Sequence, residues 1–273
     1  MIEIWQNIYE HFNPVAFNIG SISVHWYGIM YALALISAII AAHWIIKKDN
    51  MEITRDQLDS FIWWVEIGVI LGARLGYIIF YDPNTLYYLS NPWQIFNPFD
   101  STGEFIGISG MSYHGATAGF IIAALLWCKK YKKSFWFMGD IAAIAVPLGY
   151  IFGRIGNFLN KELIGRTTDL PWGIYVDGIL RHPSAIYEAI LEGLVVFLII
   201  YAIRKRKQFD GQLGLLYVIL YSITRSIAEI FRQPDIQLGF LYGTDWLTMG
   251  MLISGIFALA CTGVYLLLLR RNA

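Results

Sequence analysis

Residues 150–166 read YIFGRIGNFLNKELIGR and follow directly on a long apolar run. They carry Arg154, Asn157, Asn160, Lys161, Glu162 and Arg166, with glycines at 153, 156 and 165. An arginine at the centre of a membrane helix costs about 2.5–3.5 kcal/mol on insertion scales. So many polar side chains at the edge of an apolar segment therefore point to a use, and a cationic boundary suits an anionic lipid headgroup. Read as the outer end of a helix, the stretch puts Arg154, Asn157 and Lys161 at i, i+3, i+7 on one face. Gly149, Gly153 and Gly156 would let a neighbouring helix or a lipid phosphate approach the backbone; glycines serving helix contact alone are the plainer reading.

The composition agrees with a membrane setting. Of 273 residues, 57% are hydrophobic, 16% aromatic and 15% charged, and the mean hydropathy is +0.52. A soluble domain carries about 25% charged residues, and several apolar runs here reach the roughly 20 residues that cross a bilayer. The expected class is an all-α integral membrane protein, a single polytopic domain over residues 1–273. Cys128 and Cys261 fall inside apolar segments, so no disulfide framework is indicated. The first residues lack the basic and compact apolar regions of a cleavable signal. Within an interfacial segment 1–24, Ile4, Trp5, Ile8, Tyr9 and Phe12 suggest a short amphipathic helix at the membrane surface.

Seven spans are expected, at about 26–46, 60–81, 113–128, 135–152, 183–203, 213–231 and 246–269. Basic residues orient them. With the N-terminus outside and the C-terminus cytoplasmic, the inner loops and tail hold thirteen of the twenty lysines and arginines, while 82–112 holds none. A six-span arrangement would put basic loops on both faces. The outer loops 82–112 and 154–182 are expected to form a small aromatic cap. Seven basic residues run against the trend at the outer level: Arg74, Arg154, Lys161, Arg166, Arg181, Arg225 and Arg232. Singly, each has a plain explanation, such as Arg74 pairing with Glu66 or Arg232 snorkelling to the surface. As a group they indicate an anion site.

Further constellations lie at the same level. In YSITRSIAEIFRQPD (221–235), Tyr221, Arg225, Glu229 and Arg232 form one polar stripe that must face protein or water; Arg225 with Glu229 at i+4 could also be a structural ion pair. His114 opens the third span as a group titrating near neutrality, suited to a general base or simply an interfacial hydrogen bonder. Tyr27 lies in an aromatic belt at the start of span one. Ser184 is a candidate N-cap before span five, which goes on to Glu188 and Glu192. The five histidines show no metal-ligand spacing, and phosphate-loop, dinucleotide and GxSxG patterns are absent.

HWYG (25–28), GARLGYIIFY (72–81), SYHG (112–115), GRIGNFLNKELIGR (153–166), RHPSAIYEAILEG (181–193) and YSITRSIAEIFRQPD, in this order, resemble the bacterial prolipoprotein diacylglyceryl transferases. The resemblance covers about residues 14–250; one departure is Ala116, where the family usually has a second glycine after the histidine. It implies transfer of the diacylglyceryl group of phosphatidylglycerol to the thiol of a lipobox cysteine in a preprolipoprotein signal peptide, with release of glycerol phosphate. It further implies a multi-pass protein of the bacterial inner membrane with its active site toward the extracytoplasmic side, using no cofactor and no nucleic acid. Matched residue by residue, Arg154 and Arg225 would clamp the phosphate, with Asn157, Asn160, Gly165 and Tyr221 shaping the headgroup site. His114 and Tyr27 would activate the thiol or organise the donor, and Glu162, Glu229, Arg232, Arg74 and Tyr77 would support. An arginine field that alone lowers the thiol pKa is the rival to His114. An organic-anion or lipid transporter is the alternative class, yet there is no repeated half and no matched pair of broken helices. A non-catalytic lipid binder would leave His114 and the asparagines without a task.

Overall fold

The computed structural model describes residues 2–20, 22–99, 103, 110–234 and 239–272. It is mostly helical. Seven long helices are α1 Trp26–Lys48, α2 Arg55–Phe80, α3 Tyr113–Tyr131, α4 Phe135–Leu159, α5 Ser184–Arg206, α6 Gln212–Ala228 and α7 Met249–Asn272. Five of them, α1, α2, α4, α5 and α7, are long and apolar enough to cross a membrane. The sixth expected span, α6, has only 17 residues, about 26 Å of rise against a hydrocarbon core of about 30 Å. The third, α3, has 19 residues and ends on Lys129 and Lys130.

The chain divides into two compact units. The smaller, Glu52–Phe135, is built on the pairing of α2 with α3. A Cβ added at Gly72 would lie 2.3 Å from the Gly115 carbonyl oxygen, and one at Gly119 would lie 2.0 Å from that of Gly68. Helix backbones thus touch where side chains would hold them apart, the small-residue contact favoured in lipid. Thr54 and Gln57 cap α2 reciprocally, and Ser112 caps α3. Fully buried Trp127 donates to Ser60 Oγ at 3.1 Å and stacks on Tyr131.

The larger unit combines Met1–Met51 with Trp136–Ala273. A Cβ on Gly149 would meet the Ala34 carbonyl oxygen at 2.7 Å, and one on Gly156 would meet Met30 Cβ at 3.1 Å. Both glycines therefore serve the close approach of α4 to α1. Gly153 has open space where its Cβ would be, so helix contact does not account for it. The N-terminus of α6 is held by Asp140 of α4, which accepts from the backbone N–H of Gly211, Leu213 and Gly214 at 2.8–3.1 Å. A fully buried carboxylate at that end complements the helix dipole.

Three expectations are corrected here. The N-terminal segment is not one amphipathic helix: it is a five-residue helix, Ile2–Gln6, a 3₁₀ turn Ile8–Glu10, and an antiparallel hairpin of β1 Val15–Ile19 with β2 Ile22–His25. Gly20 at φ +60° allows the reversal. The fold is also not strictly all-α, since β3 Ile174–Val176 and β4 Ile179–Arg181 form a second hairpin. Residues 154–159, assigned above to an outer loop, continue α4. In 82–112 the described residues form helix Thr85–Ser90 and a 3₁₀ segment Pro92–Phe96, while 100–102 and 104–109 lie outside them.

Candidate active site

The last turn of α4 points Arg154 and Asn157 along one side, and Arg154 Nη1 donates to Asn157 Oδ1 at 3.2 Å. The chain then leaves the helix and folds Glu162 back beneath it. Asn157 and Asn160 donate their amide N–H groups to the two Glu162 oxygens at 2.9 and 2.6 Å. Glu162 thereby fixes the orientation of both amides, so that Asn157 offers its oxygen to Arg154. Lys161 does not share this face. It lies past the helix end with φ +57° and donates to the Tyr9 carbonyl at 2.9 Å. Tyr9 donates in turn to the Phe158 carbonyl at 2.8 Å, and burial pushes its phenol well above the usual range.

Facing Arg154 is α5, which supplies Glu188 and Glu192, both fully buried. Glu188 Oε2 lies 3.0 Å from Arg154 Nε and 3.1 Å from Arg225 Nη1, and its other oxygen is 3.8 Å from Arg232. Glu192 pairs with Arg225 at 3.6 Å and accepts from the Tyr150 hydroxyl. Glu229 pairs with both Arg225 and Arg232 and accepts from Thr248 Oγ1 at 2.8 Å. Three arginines thus meet three glutamates. The side chains of Arg154 and Arg225 keep 20% and 12% exposure while Glu188 has none. Glu188 is thus the more enclosed partner and the two arginines the less enclosed ones. Each arginine has five N–H donors, more than its carboxylate contacts use.

The surrounding chain braces this group. Residues 164–166 pair with 231–233 through an isolated bridge between Gly165 and Arg232 and the bonds Arg166 N to Phe231 O and Gln233 N to Ile164 O. A Cβ on Gly165 would sit 2.2 Å from the His182 carbonyl oxygen, so only glycine allows the two strands and the 182 turn to cross here. Arg166 donates to the carbonyls of Arg232 and Glu229, and Arg181 to that of Gly165. Burial lowers the pKa of His182, which packs with Tyr187 and Phe231 as part of an aromatic wall. Ser184 is not an N-cap: it lies inside the first turn of α5 and donates to the Leu163 carbonyl. Tyr221 stands edge-on to Tyr150 at 5.7 Å. Arg225, Glu229 and Arg232, with Thr248 and Gly250 of the α7 side, line a cavity of about 120 Å³.

The structure therefore gathers Arg154, Asn157, Asn160, Glu162, Gly165, Tyr221, Arg225, Glu229 and Arg232 within the larger unit. Tyr27 belongs to that unit but stands outside the ion cluster, its ring beside Gly156 and 42% exposed. His114, Arg74 and Tyr77 belong to the smaller unit. There Arg74 is buried and donates to the carbonyls of Ile95 and Gly110. Tyr77 fits against Gly110, whose φ is +80°. His114 is exposed, with Nδ1 3.4 Å from the Tyr81 hydroxyl. Glu188, Glu192, Tyr150 and Thr248 were not singled out as site residues. The available signal was a pair of carboxylates at i, i+4 inside an otherwise apolar helix, where ionisable groups seldom stand without partners.

Five helices fit a multi-pass membrane protein, and its larger unit holds a buried cluster of arginines and carboxylates. A sequence model described as prolipoprotein diacylglyceryl transferase matches residues 14–268. A phosphatidylglycerol–prolipoprotein diacylglyceryl transferase of Aliarcobacter butzleri is 68% identical over 264 residues, covering 97% of this chain and 96% of the relative. The proteins of that name from Campylobacter jejuni and Wolinella succinogenes are 56% and 57% identical, covering 97% and 94% of this chain and 97% and 93% of the relatives. The chain belongs to the prolipoprotein diacylglyceryl transferase family.

Proposed function

We propose that this protein transfers the diacylglyceryl group of phosphatidylglycerol to the thiol of a lipobox cysteine in a preprolipoprotein signal peptide. An S–C bond forms at the glyceryl carbon, and the C–O bond to phosphorus breaks with its electron pair leaving on oxygen. The thiol proton passes to a base or to solvent, and glycerol phosphate is released. The phosphate goes from a diester with one negative charge toward a monoester with two. Donors fixed where that charge develops lower the barrier most. The convergence of Arg154 and Arg225 on Glu188 carries this reading, since it holds both guanidinium groups in place before an anion arrives. Asn157, oriented by Glu162, keeps the Arg154 fork from turning, and Asn160 and Tyr221 border the headgroup. Purified protein given phosphatidylglycerol and a lipobox peptide should yield a thioether peptide and free glycerol phosphate. Lipid movement between leaflets with no thioether would favour a transporter instead.

The thiol has a free pKa of about 8.5 and reacts as thiolate. His114 is the proposed proton acceptor, with Tyr27 organising the donor. His114→Gln should lower the rate near neutral pH and regain it as pH rises and the thiol ionises unaided. A variant profile that matches wild type at every pH would assign activation to the arginine field.

The proposed arrangement is seven spans, N-terminus outside, with the site toward the extracytoplasmic face of a bacterial inner membrane. It rests on where the lysines and arginines fall. In a background without Cys128 and Cys261, Asp169→Cys should react with an impermeant thiol reagent applied from outside, and Lys205→Cys should not. The reverse pattern would invert the topology.

A further inference from the structure

A second basic cavity lies at the other end of α5. Arg204 is sixteen positions beyond Glu188 on that helix, about 24 Å at 1.5 Å per residue. The cavity is about 460 Å³, has Lys48, Arg204, Lys205 and Lys207 on its walls, and is floored by Ile144 and Leu213, both almost fully buried. Its volume exceeds that of the cavity beside Arg225. No part of the transfer chemistry above uses it.

Its charges are matched internally only in part. Arg204 is neutralised by Asp49 at 2.9 Å, and Lys207 by Asp140 and Asp210 at 3.0 and 2.9 Å. Lys48 is held differently, donating to the Tyr201 hydroxyl at 2.6 Å and lying 4.3 Å over the Trp44 ring. Among the described residues neither Lys48 nor Lys205 forms a salt bridge. Two ammonium groups without carboxylates thus stand over an apolar floor at the ends of α1 and α5. An ammonium is a compact, strongly hydrated charge that meets phosphate as a point charge. Basic pockets between membrane helices with apolar walls below them are suited to phospholipid headgroups whose chains run down the helices.

We propose that this cavity binds the phosphate of an anionic phospholipid in the leaflet opposite the Arg154–Arg225 site, through Lys48 and Lys205. A free phosphate ion offers the same charge, but Lys48 and Lys205 stand at the ends of two helices long and apolar enough to cross a membrane, the level at which phospholipid headgroups lie. This proposal does not depend on the transfer reaction.

The test counts lipids retained on purified wild-type protein, on Lys48→Gln/Lys205→Gln and on Lys205→Gln alone, by native mass spectrometry after titration with phosphatidylglycerol. Wild type should hold one phosphatidylglycerol more than the double variant, with the single variant showing at least a several-fold weaker last binding step. Lys205 is exposed and unpaired, so its variant should fold whatever becomes of the double one. Phosphatidylcholine should show no difference between the proteins. Equal phosphatidylglycerol counts would overturn the proposal. So would a difference that phosphatidylcholine reproduces, or one that millimolar inorganic phosphate abolishes, which would assign the cavity to a soluble anion. Arg154→Lys, run in parallel, should lose transfer and keep the lysine-dependent lipid, so failure at one site is distinguishable from failure at the other.

Discussion

Arg154→Lys should lower diacylglyceryl transfer by about two to three orders of magnitude while the protein still accumulates in the membrane. Removing one donor aimed at developing charge typically costs about 10²–10³ in rate. The charge is conserved in this variant, so the loss would report geometry. Arg154 contacts Glu188 through Nε and Asn157 through Nη1 at the same time. Lysine has one nitrogen for both contacts and for the phosphate, and it lacks the planar fork that makes a bidentate contact. A membrane assay that follows lipid transfer to a lipobox peptide checks this. Near-normal transfer would show that only the net positive charge matters, and the clamp would have to be abandoned.

Glu188→Gln should be the most damaging single change to the folded state. Glu188 is fully buried and lies against Arg154, Arg225 and Arg232. Removing one partner of a buried ion pair costs about 3–5 kcal/mol, because the remaining charge is left uncompensated. Here three arginines would share two carboxylates. The expected result is a lower thermal unfolding midpoint in detergent together with loss of transfer. Glu188→Asp keeps the charge and should recover part of the stability but less of the activity, since the shorter side chain no longer reaches all three guanidinium groups. A glutamine variant with wild-type unfolding would mean that the cluster holds no strong pairing.

Much of this site was legible in the chain. Arg154 and Arg225 stood out because arginine in an apolar helix demands a partner, and spacing alone put Asn157 beside Arg154. The Glu162 clasp was less accessible, because it depends on the chain turning back at Lys161 and Leu163, both with positive φ. Glu188 and Glu192 were visible as residues but not as partners: nothing in local spacing says that α5 lies against α4 and the stripe on α6. The period of Ile4, Ile8 and Phe12 suggested one helix, but the chain breaks it at Asn7 into a short helix and a 3₁₀ turn, and the hairpin that follows was not read from the sequence. Arg74 donates to the backbone carbonyls of Ile95 and Gly110, contacts that side-chain spacing does not encode.

The Ala189–Val195 segment of α5 is a seven-residue π-helix between α-helical turns. Such a segment amounts to one residue inserted into an α-helix, and it often marks a functional position. It acts as a phase shifter. Each α-helical residue turns the chain by about 100°, so the inserted one sets the heading of Glu188 independently of the heading of the helix below. Deleting a single residue from 189–195 would leave an unbroken, equally apolar span. It would also turn Glu188 by roughly a quarter revolution from Arg225. An insertion elsewhere in the chain lengthens a loop; here the extra residue decides which way a charge points.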